Sequence, residues 1–164
     1  MNEEIIQLCD RSGKASGTSP RSVCHKDPSL IQMVVHLVII DSKDRFFLQK
    51  RSMNKEAFPG YWDTAAGGHV SAGETIHEAI EREAKEEIGI DLKNKDFLFS
   101  RLYRMELETE LSFVFKAVYD GPFKIDNDEV TEGRFFTADE IRAEAGKNKF
   151  TPVLKDIFSV ICGS

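Results

Sequence analysis

Three glutamates near the middle of the chain, Glu83, Glu86 and Glu87, have the residue type and spacing best suited to chemistry. On a helix that turns by about 100° per residue, Glu83 and Glu87 fall on the same face as Ile80 and Ala84. Glu86 falls at the edge of that face. A solvated run of charge is the ordinary interpretation of such a helix, but carboxylates on an apolar face repel one another and resist burial. The pattern therefore favours a shared divalent cation.

Oxygen ligands of this kind suit Mg²⁺ or Mn²⁺, which keep some bound water and also bind substrate phosphates. A metal held in this way neutralises a phosphate or diphosphate and activates water as a nucleophile. The three glutamates therefore predict metal-assisted phosphoryl or pyrophosphoryl transfer.

The helix that carries the glutamates has clear ends in the sequence. Thr75 and Glu78 have the spacing of a capping box, and Gly89 is a typical C-terminal stop. The preceding glycines, Gly67 and Gly68, allow the backbone to approach a ligand closely, and the Gly68 carbonyl is a candidate metal ligand.

Two further charged residues have a predicted supporting role. Arg82 projects from the solvated half of the helix, away from the glutamate cluster, and Glu74 lies just before the helix begins. We expect an ion pair between them to brace the loop against the helix.

The rest of the chain predicts strands and helices interleaved in one α/β unit. Ile31 to Ile40 is almost continuously apolar and predicts a central strand. Gly13 to Leu30 is rich in turn residues and predicts a long irregular connection. Other segments have strand composition or helix-capping signals: Ile5–Leu8, Phe46–Gln49, Phe97–Met105, Leu111–Tyr119 and Arg134–Phe136 as strands, with helices beginning after Thr137 and Thr151.

Composition limits the function classes further. The 164 residues include 22 Lys and Arg against 28 Asp and Glu, which gives a net charge of −6 and no basic field for a nucleic acid polymer. The three cysteines are widely spaced, which indicates neither a disulfide framework nor a zinc site. With no secretion signal or membrane span in the sequence, we expect a cytoplasmic protein with no membrane association.

Residues 68 to 90 carry a family resemblance. Gly68, Glu74 and the run Arg82-Glu83-Ala84-Lys85-Glu86-Glu87-Ile88-Gly89-Ile90 resemble the Nudix box, G-x5-E-x7-R-E-U-x-E-E-x-G-U, where U is a bulky aliphatic residue. Every charged and glycine position fits. Ala84 departs from the pattern, since a bulky aliphatic residue is usual there.

The resemblance implies an α/β/α sandwich around a mixed sheet. One Nudix domain would span residues 1–164, with an N-terminal strand and long connection over 1–30 and the box loop and helix over 67–90. It also implies hydrolysis of a nucleoside diphosphate linked to another moiety, a small-molecule diphosphate partner, and the homodimers common in the family. Glu83, Glu86, Glu87 and the Gly68 carbonyl would bind the metal, and one of the three glutamates would act as general base.

Outside the box the chain resembles the Nudix branch that is similar to isopentenyl-diphosphate isomerase. Glu108 and Glu110 match its E-x-E pair and His69 matches one of its histidines, so these three are further site candidates. Gly67, however, stands in place of its catalytic cysteine, and Gln32 in place of a histidine ligand. An isomerase-like enzyme therefore remains an alternative, as does a Nudix module that binds a nucleotide or metabolite without turnover.

Overall fold

The computed structural model describes residues 2–125, 128–147 and 149–163 of the chain. Nine strands form one mixed sheet: β1 (Ile5–Cys9), β2 (Ala15–Pro20), β3 (Ile31–Ile40), β4 (Phe46–Arg51), β5 (Trp62–Asp63), β6 (Ala66–His69), β7 (Asp96–Arg104), β8 (Thr109–Val118) and β9 (Val130–Phe136). The helices are α1 (Arg21–Cys24), α2 (Ile76–Ile88), α3 (Ala138–Glu144) and α4 (Pro152–Cys162), with a 3₁₀ turn at Ala145–Lys147. In these ranges no helix is long and apolar enough to cross a membrane.

Strand β3 organises the sheet. One edge pairs in parallel with β8 along its whole length, from Ile31–Thr109 to Ile40–Val118. The opposite edge pairs antiparallel with three strands in turn, β1, β6 and β4. Strands β2, β7 and β9 extend the sheet from β1, β8 and β4. Because several strands share one edge of β3, the sheet curls around the segment that carries the predicted site.

Alternation along β3 divides the core into two layers. Val35, Leu37 and Ile39 pack with helix α2 on one face, and Val38 packs on the other face with helices α3 and α4. The fold is therefore the predicted α/β/α sandwich around a mixed sheet.

Helix α2 has the predicted capping box at Thr75 and Glu78 and ends at Gly89, whose φ of 70° is left-handed. Its buried residues are Ala79, Ile80, Glu83, Ala84, Glu87 and Ile88. The prediction that two glutamates share the apolar face is confirmed.

The N-terminal prediction was wrong in part. Residues 15–24, expected to be irregular, form strand β2 and helix α1. Strand β2 is mostly exposed and its sequence does not alternate between apolar and polar residues. Its strand conformation therefore comes from pairing with β1 and not from the preferences of its own side chains. Gly67 and Gly68, expected in a loop, lie in strand β6 for the same reason, since β6 pairs with Val34–Leu37 of β3.

The departure at Ala84 gives a prediction about packing. Ala84 is completely buried in the core beneath helix α2, so Ala84→Ile should overpack that core. We expect the free energy of unfolding to fall by about 1–3 kcal/mol in urea denaturation. Ala143→Ile, at an exposed position of helix α3, is the matched control. Unchanged stability of Ala84→Ile would show spare volume under the helix.

Candidate active site

Glu87 lies buried where helix α2 meets strands β4 and β6. Its carboxylate accepts hydrogen bonds from the Gly67 backbone N–H, at 3.1 Å, and from the Gln49 side-chain amide. Burial, and next the charge of Glu83, raise the pKa of Glu87 well above its usual value. The site thus holds a desolvated carboxylate beside another carboxylate.

Glu83 is the second buried member of the pair. Arg82 Nη1 donates to Glu83 Oε1 over 2.7 Å, and the Glu83 side chain interacts with that of Glu87. Burial raises the pKa of Glu83, although Arg82 opposes the effect. A side chain at Gly68 would collide with the Glu83 carboxylate, so only glycine leaves room for it.

Arg82 links the helix to the preceding segment. Its guanidinium donates to Glu74, over 2.8 and 3.0 Å, and to the His69 carbonyl, over 3.0 Å. Burial alone would raise the pKa of Glu74, but hydrogen bonds from Arg82 and Ser71 lower it. The ion pair between Arg82 and Glu74 is thus present in the structure.

The predicted direction of Arg82, away from the glutamates, is not what the structure shows. The guanidinium also contacts Glu83 and, over 3.3 Å, Glu86. A helical projection gives the direction of a side chain at its Cα, whereas the long arginine side chain bends back over one turn.

Glu86 has 57% of its side chain exposed. Within the described ranges, no three His, Cys, Asp or Glu side chains are close enough together to hold a metal ion. The donor set nevertheless fits a hard cation, because the buried groups Glu83 and Glu87 lie together and Arg82 contacts Glu83.

Beside this pair lies a cleft of about 160 Å³, which we call the central cleft. It is lined by residues from strands β3, β4, β5, β6 and β8, helices α1 and α4, and the segments that connect these elements: Arg21, His25, Val34, His36, Gln49, Arg51, Ala57, Phe58, Asp63, Thr64, Gly67, Gly68, His69, Met105, Glu108, Glu110, Thr151 and Val153. Gly67, Gly68 and Gln49 therefore connect the cleft to the buried glutamates.

The three further candidates, His69, Glu108 and Glu110, all line the central cleft. Burial lowers the pKa of His69 to about 3, and burial with Glu108 and Asp63 raises the pKa of Glu110 to about 7. Glu108 accepts a hydrogen bond from Gln32, at 2.9 Å, and lies 3.3 Å from the His25 ring.

Several cleft residues were not among the predicted site residues. The Gln49 side-chain amide donates a hydrogen bond to Glu87, and the Arg51 guanidinium lies 3.4 Å from the Asp63 carboxylate. His36 also lines the cleft, although it is not among the residues predicted for the site. The only signal for it was a polar residue four positions after Gln32 on one face of an otherwise apolar strand.

Comparisons with known proteins agree with this geometry. Residues 30–155 match the NUDIX domain family. An uncharacterised Nudix hydrolase of Listeria innocua is 35% identical over 127 residues, which cover 76% of this chain and 75% of that protein. An isopentenyl-diphosphate Delta-isomerase of Clavibacter michiganensis is 26% identical over 144 residues, 84% of this chain and 74% of that protein. The crystal structure of DR0079 from Deinococcus radiodurans shares the fold, with a TM-score of 0.82, 21% identity, and coverage of 96% of this chain and 98% of that one. The chain belongs to the Nudix hydrolase family.

Proposed function

We propose that this Nudix hydrolase uses Mg²⁺ or Mn²⁺ to cleave a diphosphate linkage in a nucleoside diphosphate derivative or similar small molecule. The observation that carries the proposal is the buried carboxylate pair Glu83–Glu87, which contacts Gln49, Gly67 and Gly68 of the central cleft. Two desolvated carboxylates in contact are costly without a cation, so a fold that keeps them has a use for one.

Glu83, Glu86, Glu87 and the Gly68 carbonyl are the groups that would hold the metal. When bound, the metal would neutralise the diphosphate and lower the pKa of a water ligand. Gln49 and the Gly67 N–H orient Glu87, and Arg82 orients Glu83. One of the three carboxylates would take the proton of the attacking water, and the water would attack phosphorus directly, without a covalent enzyme intermediate.

We also propose that the whole chain works as one Nudix domain. Strand β1 pairs with β3 at Leu8–Gln32, and helix α1 and the residue that follows it contribute Arg21 and His25 to the central cleft. The N-terminal segment is therefore part of the site and not an appendage to it. Homodimer formation stays a prediction.

The first test is hydrolysis of a panel of sugar nucleotides, dinucleotides, nucleoside triphosphates and isopentenyl diphosphate with Mg²⁺. We expect at least one member to be hydrolysed, with activity lost in EDTA and reduced by about 10²-fold or more in Glu87→Gln, because the metal loses a ligand. Glu81→Gln, on the exposed face of helix α2, is the matched control. Ligand binding without turnover of any member would instead support the non-catalytic module.

Gly68→Ala tests the metal site directly. The added methyl group would displace the Glu83 carboxylate, so we expect Mn²⁺ affinity, measured by electron paramagnetic resonance, to fall by about 10-fold or more. Gly146→Ala is the control, since no atom lies within 4 Å of that position. Equal affinity in the two variants would contradict the role of Glu83.

An isomerase-like activity is the second candidate, because Glu108, Glu110 and His69 lie together in the central cleft. Gly67 weighs against it. A Cβ at Gly67 would lie 2.8 Å from the Val35 carbonyl oxygen and 3.1 Å from His36 Nδ1, so the cysteine of that branch does not fit here without displacing the backbone.

We therefore expect Gly67→Cys to lower the melting temperature and to gain no isomerisation of isopentenyl diphosphate, followed by nuclear magnetic resonance. Gly146→Cys would control for an added thiol. Isomerisation by the Gly67→Cys variant, or by the unmodified protein, would contradict this expectation and support the isomerase-like activity.

A further inference from the structure

The floor of the central cleft is one face of the sheet. The register places His36 opposite Gly67 and Val34 opposite His69 on one side, and Gln32 opposite Glu110 on the other. Because alternate residues share a face, His36, His69 and Glu110 project from the same side of the sheet. All three line the cleft.

His36 presents a hydrogen-bond acceptor to this cleft. The Thr64 hydroxyl donates to the Ala66 carbonyl over 3.3 Å, so we assign the proton of the 3.1 Å contact between His36 Nδ1 and Thr64 Oγ1 to the imidazole ring. In this tautomer Nε2 carries a lone pair. His36 is only 8% exposed, and its Nε2 atom is buried with no hydrogen-bond partner in the part of the chain that the structure describes.

Glu110 adds further acceptor capacity. No hydrogen bond to its carboxyl group is found among the described residues, whereas the neighbouring Glu108 is engaged by Gln32 and His25. His36 Nε2 is a buried acceptor without a donor, which is costly, and the half-buried Glu110 carboxyl group lies in the same cleft, so a ligand that supplies donors to both is favoured here.

The charge of the cleft limits which ligand group fits. Glu108, Glu110 and Asp63 lie on its walls, and Arg51 and Arg21 are paired with Asp63 and Glu4. An anionic group such as a terminal phosphate would meet carboxylates there. An uncharged group with hydroxyl hydrogens meets acceptors instead, and a volume of about 160 Å³ accommodates a group of several heavy atoms.

We propose that the central cleft binds a hydroxyl-bearing sugar or polyol attached to the diphosphate, with His36 Nε2 and Glu110 accepting hydrogen bonds from its hydroxyl groups. The inference rests on the proposed function, since it assigns the group on the far side of the scissile linkage. The enzyme would therefore prefer diphosphate-linked sugars to nucleoside triphosphates.

The test compares three substrates that share one nucleoside diphosphate and differ in the group on the second phosphorus: glucose, a butyl group or phosphate. Adenosine and uridine series are both used. We expect kcat/KM to be about 10- to 100-fold higher for the glucose compound than for the butyl ester, because only the hexose supplies hydroxyl donors to His36 Nε2 and Glu110. The triphosphate should be the poorest of the three.

Two variants change the acceptor atoms of the cleft. Glu110→Gln replaces one carboxylate oxygen by an NH₂ group, and His36→Asn keeps a donor for Thr64 but has no atom at the Nε2 position. Each should lower kcat/KM for the glucose compound by about 10- to 100-fold more than for the butyl ester. Glu106→Gln, at an exposed position between β7 and β8, is the matched control, and thermal unfolding checks that all variants fold.

Calorimetric binding of the same compounds to EDTA-treated protein separates this inference from the proposed function. If the protein hydrolyses none of them but still binds the glucose compound best, and the variants lose that preference, the assignment of the cleft stands and the hydrolase proposal fails. Equal effects of the variants on all three compounds, or a preference for the triphosphate, would overturn the inference. So would a second bound Mn²⁺ ion that disappears in Glu110→Gln and persists in Glu83→Gln.

Discussion

The contact between the buried carboxylates of Glu83 and Glu87 is the constraint on which the site depends. Two carboxylates deprived of water repel each other, and burial raises the pKa of both. Hydrogen bonds from the surrounding residues offset part of this cost. Gln49 and the Gly67 N–H donate to Glu87, and Arg82 donates to Glu83. These contacts orient the pair but leave its negative charge only partly compensated. The remaining charge is what a divalent cation would neutralise.

The architecture follows from the need to bring those donors together. Glu83 and Glu87 lie on one helix, Gln49 on β4 and Gly67 on β6, and both strands approach through the antiparallel edge of β3. Arg82 then joins helix α2 to the segment after β6 through Glu74 and the His69 carbonyl. Glycine is required at position 68 because the Glu83 carboxylate occupies the space of a side chain. The core packing of α2 and the chemistry of its glutamates therefore depend on the same few contacts.

Local sequence patterns predicted most of the elements and the buried position of the glutamates. Strand β3 has the predicted bounds, Ile31–Ile40, and helix α2 lies between its predicted capping box and terminal glycine. Strand β2 was missed because its residues have no apolar alternation and its strand form comes from pairing with β1. Gln49 and Asp63 were missed for a related reason. Their place in the site comes from β4 and β5 packing against distant segments, which no local pattern encodes.

Gly67 affects both the orientation of Glu87 and the geometry of the central cleft. Its lack of a side chain lets strand β6 lie close to His36 and the Val35 carbonyl, and this close approach allows the Gly67 N–H to reach Glu87. The same approach keeps the His36 ring hydrogen-bonded to Thr64, with Nε2 directed away from that contact. A cysteine at position 67, which could transfer a proton at carbon, would displace the Val35 carbonyl or the His36 ring. The residue that orients Glu87 thus also preserves the acceptor surface of the cleft, so the proposed hydrolysis at phosphorus and the proposed recognition of an uncharged group both depend on one backbone contact.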